Sequence, residues 1–197
     1  HINSKIFIMK KRSFKVLSLV TIVLTSLVMF AFATCNTSDS PRVLVTEYPA
    51  DMAIAWIKMQ QRLFVGTPGL LPHVTGRTYA YTALTLYESL APGMPDHQSI
   101  AAQLDGKLLL PAPESGQRYH WPASSNSAVA DILKKLLPHT TPKLLSMVDS
   151  LETAHYNEFQ SEADAQVLQR SVNFGRQIAS AIFEWSKADG GHKAYEN

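Results

Sequence analysis

The residues of this 197-residue chain that could carry chemistry are seven histidines, one cysteine and one loop that gathers serine, arginine and histidine. That loop reads Pro113-Glu114-Ser115-Gly116-Gln117-Arg118-Tyr119-His120. A guanidinium beside backbone amides binds oxyanions well, so a small anion site could form there. The competing reading is a polar surface loop, which is favoured because such donors are common to many loops. The histidines at 1, 73, 97, 120, 139, 155 and 192 are scattered, and none has a partner at ligand-like spacing. His73, His97 and His139 lie close to Pro72, Pro95 and Pro138 and read as solvated turn residues, not ligands or general bases. The sequence holds no P-loop, Rossmann glycine fingerprint, His-Glu-x-x-His or Gly-x-Ser-x-Gly. One cysteine cannot form an internal disulfide, and no Cys/His set has zinc-site spacing. Trp56, Trp121 and Trp185 sit where packing, not base or ligand stacking, is their expected role. The residues therefore assign no catalytic, cofactor-binding or metal-binding position.

Cys35 is different, because of what precedes it. Met9-Lys10-Lys11-Arg12-Ser13-Phe14-Lys15 is followed by eighteen uncharged, mostly apolar residues at 16–33, then by polar Thr34-Cys35-Asn36-Thr37-Ser38. A positive flank, an apolar run and a small-residue boundary describe a secretory signal peptide at 9–34. The run is also long enough to span a bilayer, so a retained anchor and plain secretion are the alternatives. Phe32-Ala33-Thr34-Cys35 resembles a relaxed bacterial lipobox, with Phe32 in place of a Leu-like residue and Thr34 in place of Gly, Ala or Ser. Lipidation of Cys35 is the reading adopted, which implies a lipid-anchored protein of a bacterial cell envelope, periplasmic or outer-surface. Residues 1–8 read as non-native upstream sequence, and 35–48 as the lipidated cysteine and a linker.

Hydrophobic residues make up 46% of the chain and charged ones 17%, which excludes global disorder. The formal charge of +2 misleads, since five cations precede Cys35 and no carboxylate does. Without those five, 13 cationic residues face 16 carboxylates, a net of −3, so a basic nucleic-acid surface loses its support.

Residues 49–197 must supply the scaffold, and their periodicity predicts an all-α fold. Ala53, Trp56, Ile57, Leu63 and Phe64 predict a helix over 50–65. Ala80, Ala83, Leu84 and Tyr87 predict another over 76–90, with small residues that admit a close neighbour. A short helix is expected at 98–105, and a proline-rich extended loop at 107–125, bordering a surface or site. Val129, Ile132, Leu133 and Leu136 mark a helix over 126–137. Thr141-Pro142 opens the next, continuing to 159 through Leu144, Leu145, Val148, Leu151 and Phe159. Ser161-Glu162-Ala163-Asp164 resembles a capping box for a last helix over 162–188. That helix would face Val167, Leu168, Val172, Gly175, Ile178, Ala179 and Ile182 inward and stop at Asp189-Gly190-Gly191. Glycine inside a helix costs about 1 kcal/mol relative to alanine, so Gly175 points to a close helix crossing.

Two of these helices resemble a family. Residues 77–89 carry Arg77-x-x-Ala80 and Ala83-x-x-x-Tyr87-Glu88-Ser89, which resembles the early helix of bacterial vanadium-dependent haloperoxidase-like proteins. Residues 171–190 carry Gly175-x-x-Ile178-Ala179 and end in Asp189-Gly190, resembling their later helix, the more specific of the two matches. The resemblance spans about residues 50–197. It implies kinship with the superfamily of type 2 phosphatidic acid phosphatases, in which positive donors and two histidines surround vanadate or phosphate. Preorganised donors around a developing oxyanion are the physical logic of that site. It also implies halide oxidation by peroxide, or phosphoester hydrolysis, in the full-length protein, with vanadate as cofactor if it is a haloperoxidase.

The family's three catalytic stretches, Lys-x6-Arg-Pro, Pro-Ser-Gly-His and Ser-Arg-x5-His, do not occur here. Pro113-Glu114-Ser115-Gly116 echoes one of them without its histidine. The expectation is therefore an N-terminal helical portion of an incomplete haloperoxidase-like bundle, inactive alone, whose partners are the membrane and a missing C-terminal catalytic bundle. An apolar seam around Ile178 and Ile182 should then lie open. A non-catalytic helical lipoprotein that binds a partner, and a small-molecule binder using loop 107–125, are the competing classes.

Overall fold

The computed structural model describes residues 43–104, 108–188 and 190–196. The fold below is that of the unit that begins at residue 42. The signal-peptide and Cys35 expectations lie outside the described residues. No helix among the described residues is long and apolar enough to cross a membrane.

Five α-helices make up the described fold: α1 (Asp51–Gly66), α2 (Pro72–Leu90), α3 (Trp121–Leu136), α4 (Pro142–Phe159) and α5 (Ala165–Ser186). No strand occurs among the described residues, so the class is all-α as expected. Helix α3 is the axis of the bundle. It touches all four other helices, and 13 of its 16 residues are buried. Such a helix needs side chains small enough to be approached from every side, which Ala123, Ser124, Ser125, Ser127, Ala128 and Ala130 provide.

The α3–α5 contact is the tightest. A Cβ on Gly175 would fall inside the van der Waals envelope of the Ser124 carbonyl oxygen and only 2.5 Å from Ser127 Oγ. The predicted crossing at Gly175 is therefore present, with backbone against backbone. Ser127 Oγ lies 3.0 Å from the Ser124 carbonyl and 3.1 Å from that of Val172, a hydroxyl donor shared across the crossing. All seven residues assigned to the inward face of α5 are buried. The seam expected to lie open does not: Ile178 and Ile182 are about 1% and 0% exposed. Both belong to the buried core, α5 packs on α3 and α2, and a 3-10 segment at Gly191–Glu196 folds back onto α2, α3 and α5.

Three helix starts differ from expectation for local chemical reasons. Helix α3 begins at Trp121, not 126, because Pro122 occupies the first turn, where its missing N–H costs nothing, and His120 supplies the cap. Helix α2 begins at Pro72 for the same reason and carries Gly76 within it. Helix α5 begins at Ala165, and no capping box forms: Asp164 makes no side-chain cap bond and Ser161 Oγ donates to the Glu158 carbonyl. The helix start at Thr141-Pro142 is as predicted, with Thr141 Oγ1 accepting from the Leu144 amide at 3.3 Å. The short helix at 98–105 contracts to a 3-10 turn at Ala101–Gln103. Gly190 takes φ of +74°, the left-handed conformation expected of a stop; Asp189 lies outside the described residues.

Two helical faces are rotated from the predicted stripes. In α2, Ala80 and Ala83 face out, while Thr78, Tyr81, Thr82, Leu84, Thr85, Glu88 and Ser89 are buried. The threonines can be interior because each hydroxyl donates to the carbonyl one turn back: Thr78 to Val74, Thr82 to Thr78 and Thr85 to Tyr81. In α1, Ile57 is exposed and Met52, Met59 and Gln60 are inside, the Gln60 amide donating to the Thr78 carbonyl. Trp56 is buried and donates its indole N–H to Asn126 Oδ1 at 2.9 Å.

Gly175→Ala should cost about 2–3 kcal/mol, because the new methyl meets a backbone carbonyl that cannot swing away. Gly76→Ala, in a helix interior with open space around it, should instead stabilise by about 0.5–1 kcal/mol. Paired denaturant titrations of the two variants check both signs.

Candidate functional site

The loop singled out at 113–120 divides in two. Residues 114–118 are exposed, turning at Gly116 with φ of +75°, while Tyr119 and His120 are buried. The Arg118 carbonyl is held by Arg170 Nη1 at 2.9 Å, and the Glu114 amide donates to the Tyr119 hydroxyl at 3.0 Å. His120 is thus not part of a polar surface loop. Its burial follows from its duty as the cap of α3.

His120 Nδ1 accepts the Ala123 backbone amide at 3.1 Å. A backbone N–H can only donate, so Nδ1 is bare and the ring proton sits on Nε2. That proton points to Glu162 Oε2 at 3.0 Å, on the turn between α4 and α5. The His120 backbone amide donates to Ser171 Oγ of α5 at 2.8 Å. Tyr48 meets the imidazole edge-on with ring centroids 5.0 Å apart, and Phe159 packs on it at 4.7 Å. Side chain and backbone amide together, this one residue ties the segment before α1, the start of α3, the end of α4 and α5 to one another.

Burial pushes the His120 imidazole below its usual pKa, outweighing the hydrogen bond and charge of Glu162, which act the other way. Burial lifts the Tyr48 phenol above its ordinary range, with the carboxylates of Glu162 and Glu47 adding to the effect and Arg118 opposing it. These residues border a cavity of about 490 Å³, closed on one side by loop 113–118 and on another by Val43, Leu44 and Tyr48. Its charged lining is Glu114, Arg118 and Glu162.

The other histidines are not gathered near it. His73 lies in the first turn of α2 and His97 in a turn; both are exposed. His139 departs from the solvated-turn expectation: it stacks on Tyr195 at 4.1 Å, and neither ring nitrogen reaches solvent or a hydrogen-bond partner. His155 pairs with Glu158 through Nδ1, and His192 lies edge-on to Phe183. His1 lies outside the described residues. Trp56 and Trp121 are core residues, and Trp185 packs edge-on to Tyr81. Sequence reasoning missed Glu162, Tyr48 and Ser171 as neighbours of His120, since they come from three separate elements.

No family model matches this sequence, and no curated protein matches it. Among solved structures, the chain is similar to a bacterial vanadium-dependent iodoperoxidase, with 22% identity and a TM-score of 0.57. The likeness covers 70% of this chain and 32% of that one, so the chain spans about a third of the iodoperoxidase's length. The fold is haloperoxidase-like and helical.

The residues of the cavity do not fit vanadate. Both ring nitrogens of His120 are engaged, and an oxyanion beside it would face the Glu162 carboxylate. No group of three or more His, Cys, Asp or Glu among the described residues could hold a metal ion.

Because the folded state favours neutral His120, the unfolded chain binds the extra proton first as pH falls through about 6.5. Stability contributed by His120 should be full above that pH and drain away down to its lowered folded value. His120→Asn keeps a capping acceptor but cannot titrate. Its melting temperature, measured by calorimetry, should vary less between about pH 7.5 and about pH 5 than that of the parent.

Proposed function

We propose that this chain is the N-terminal helical scaffold of a haloperoxidase-like or phosphatidic acid phosphatase-like lipoprotein of the bacterial envelope. The oxidation of halide by peroxide or the hydrolysis of a phosphoester would be carried by residues outside these 197. The observation that carries this reading is the haloperoxidase-like helical fold, which two family-like segments enter at its tightest joints. Glu88, in the segment at 77–89, is buried and accepts the Ile100 amide at 2.9 Å. The Ser89 carbonyl accepts Ser124 Oγ of α3 at 3.2 Å. Gly175 and Ala179, in the segment at 171–190, lie on the buried face of α5, and Gly175 makes the α3–α5 crossing. Each of these residues works in packing and capping, as parts of a scaffold would.

Vanadate belongs to the same reading as the cofactor of the complete protein if it is a haloperoxidase, held by residues not in this chain. Membrane attachment through Cys35 is likewise part of the proposal, supported by the lipobox-like sequence alone. With α5 already covered, a catalytic bundle would have to join somewhere other than Ile178 and Ile182.

A second reading is favoured by the cavity of about 490 Å³ beside His120: a non-catalytic envelope lipoprotein that binds a ligand or partner there. The two are separated by reading the gene past Asn197. A continuing frame with the three family motifs supports the scaffold, and a stop codon supports the binder. The purified chain should show no saturable orthovanadate binding in calorimetric titration and no bromide oxidation or phosphoester hydrolysis. Robust turnover by these 197 residues alone would overturn the scaffold reading.

A further inference from the structure

We propose that the outward face of α1 docks on an anionic membrane surface. Helix α1 turns Met52, Trp56, Met59, Gln60 and Leu63 into the core, which leaves a stripe of Ile54, Ile57, Lys58, Gln61, Arg62 and Val65 outside. Ile54 and Ile57 are about half exposed and Val65 is 92% exposed; Leu71, at the turn into α2, is also half exposed. Most of the large apolar side chains that this fold leaves in solvent lie on α1 and the start of α2, not on the helix expected to be open.

The charge on this face is predominantly positive. Its one carboxylate is Asp51 at the helix start, and no Asp or Glu follows from Met52 to Tyr87, while Lys58 and Arg62 stand along the stripe. Lys58 and Arg62 have no ion-pair partner among the described residues. Elsewhere Lys134, Lys135, Arg176, Lys187 and Lys193 each sit against a carboxylate, while Arg118, Lys143 and Arg170, scattered over other elements, form no ion pair among the described residues. Unneutralised cations beside exposed isoleucine, valine and leucine match the headgroup boundary of a bilayer. There the apolar tips enter the acyl region while the long Lys and Arg stems reach back to phosphate. A helical protein partner would call for an unbroken apolar seam, which Lys58, Gln61 and Arg62 interrupt. The proposal does not depend on the scaffold reading, because it concerns this face whatever lies beyond residue 197.

The test uses the chain from residue 35 on, without the apolar run at 16–33 that could itself enter a bilayer, with Cys35→Ser and a fluorophore on Ile57→Cys, mixed with vesicles that carry a lipid-borne quencher. The vesicles are either pure phosphatidylcholine or a mixture with phosphatidylglycerol, and the control label is Thr153→Cys on the exposed side of α4. The expected result is strong quenching at position 57 in the anionic vesicles only, little at 153, and release by high salt. Each cation near an anionic surface contributes about fivefold to partitioning, so Lys58→Gln with Arg62→Gln should lower the docked-to-free ratio about thirtyfold. Equal quenching at 57 and 153, equal quenching in neutral vesicles, or indifference to the double substitution would each overturn the proposal. Concentration-dependent shielding of the label at 57 without vesicles would also overturn it, by showing that a second copy covers the face.

Discussion

The approach of α3 and α5 at Gly175 is the constraint on which the other contacts depend. Where a helix backbone rests directly on its neighbour, no side chain can slide or repack to absorb an error. The register of the two helices is fixed by hydroxyls that bridge them, above all Ser127 between the carbonyls of Ser124 and Val172. Ser124 then ties α3 to the end of α2 through the Ser89 carbonyl. A core with this many serines is stable only because each bridging hydroxyl has a carbonyl to donate to. Ser125 Oγ is the exception, buried without a hydrogen-bond partner among the described residues.

The same crossing builds the His120 cluster. Ser171 lies one turn before Gly175 on α5, and its hydroxyl accepts the His120 amide while donating to the Val167 carbonyl. Fixing that amide fixes the first turn of α3, and with it the ring nitrogen that caps the helix. The other ring nitrogen then faces the α4–α5 turn, where Glu162 meets it. The imidazole is thus placed by a backbone contact about one helical turn away. Its tautomer follows from the cap, and its lowered pKa from the aromatic rings that shut it in.

How much of this was legible in the sequence depended on whether a side chain's environment is set by its own helix. The inward face of α5 and the Thr141 cap are decided locally, and both read correctly. Gly175 was legible because its cost in a helix needs a reason. The start of α3 was not, since Pro122 followed by Ser124, Ser125, Asn126 and Ser127 has the composition of a loop. Those residues become interior only when α2 and α5 supply carbonyls for their hydroxyls. In α2 a hydropathy stripe favours alanine over threonine, yet the threonines are buried once each bonds one turn back along its own helix. His120 could not be assigned its role, because Tyr48 and Glu162 lie 72 and 42 positions away in sequence.

Chemistry needs polar groups that structure has not already used. In the His120 cluster and the core around it these groups have been used: His120 caps a helix with one nitrogen and grips Glu162 with the other, Glu88 holds the Ile100 amide, and Lys135 bridges Asp131 and Ser180. A catalytic histidine must present a nitrogen to a reacting atom, and any proton transfer by His120 would first have to break the cap of α3 or the bond to Glu162. The haloperoxidase-like architecture and the absence of a free oxyanion cradle in this cluster are therefore compatible. The helices that hold such a fold together and the groups that react within it can be different residues, and those of this cluster are committed to holding it together.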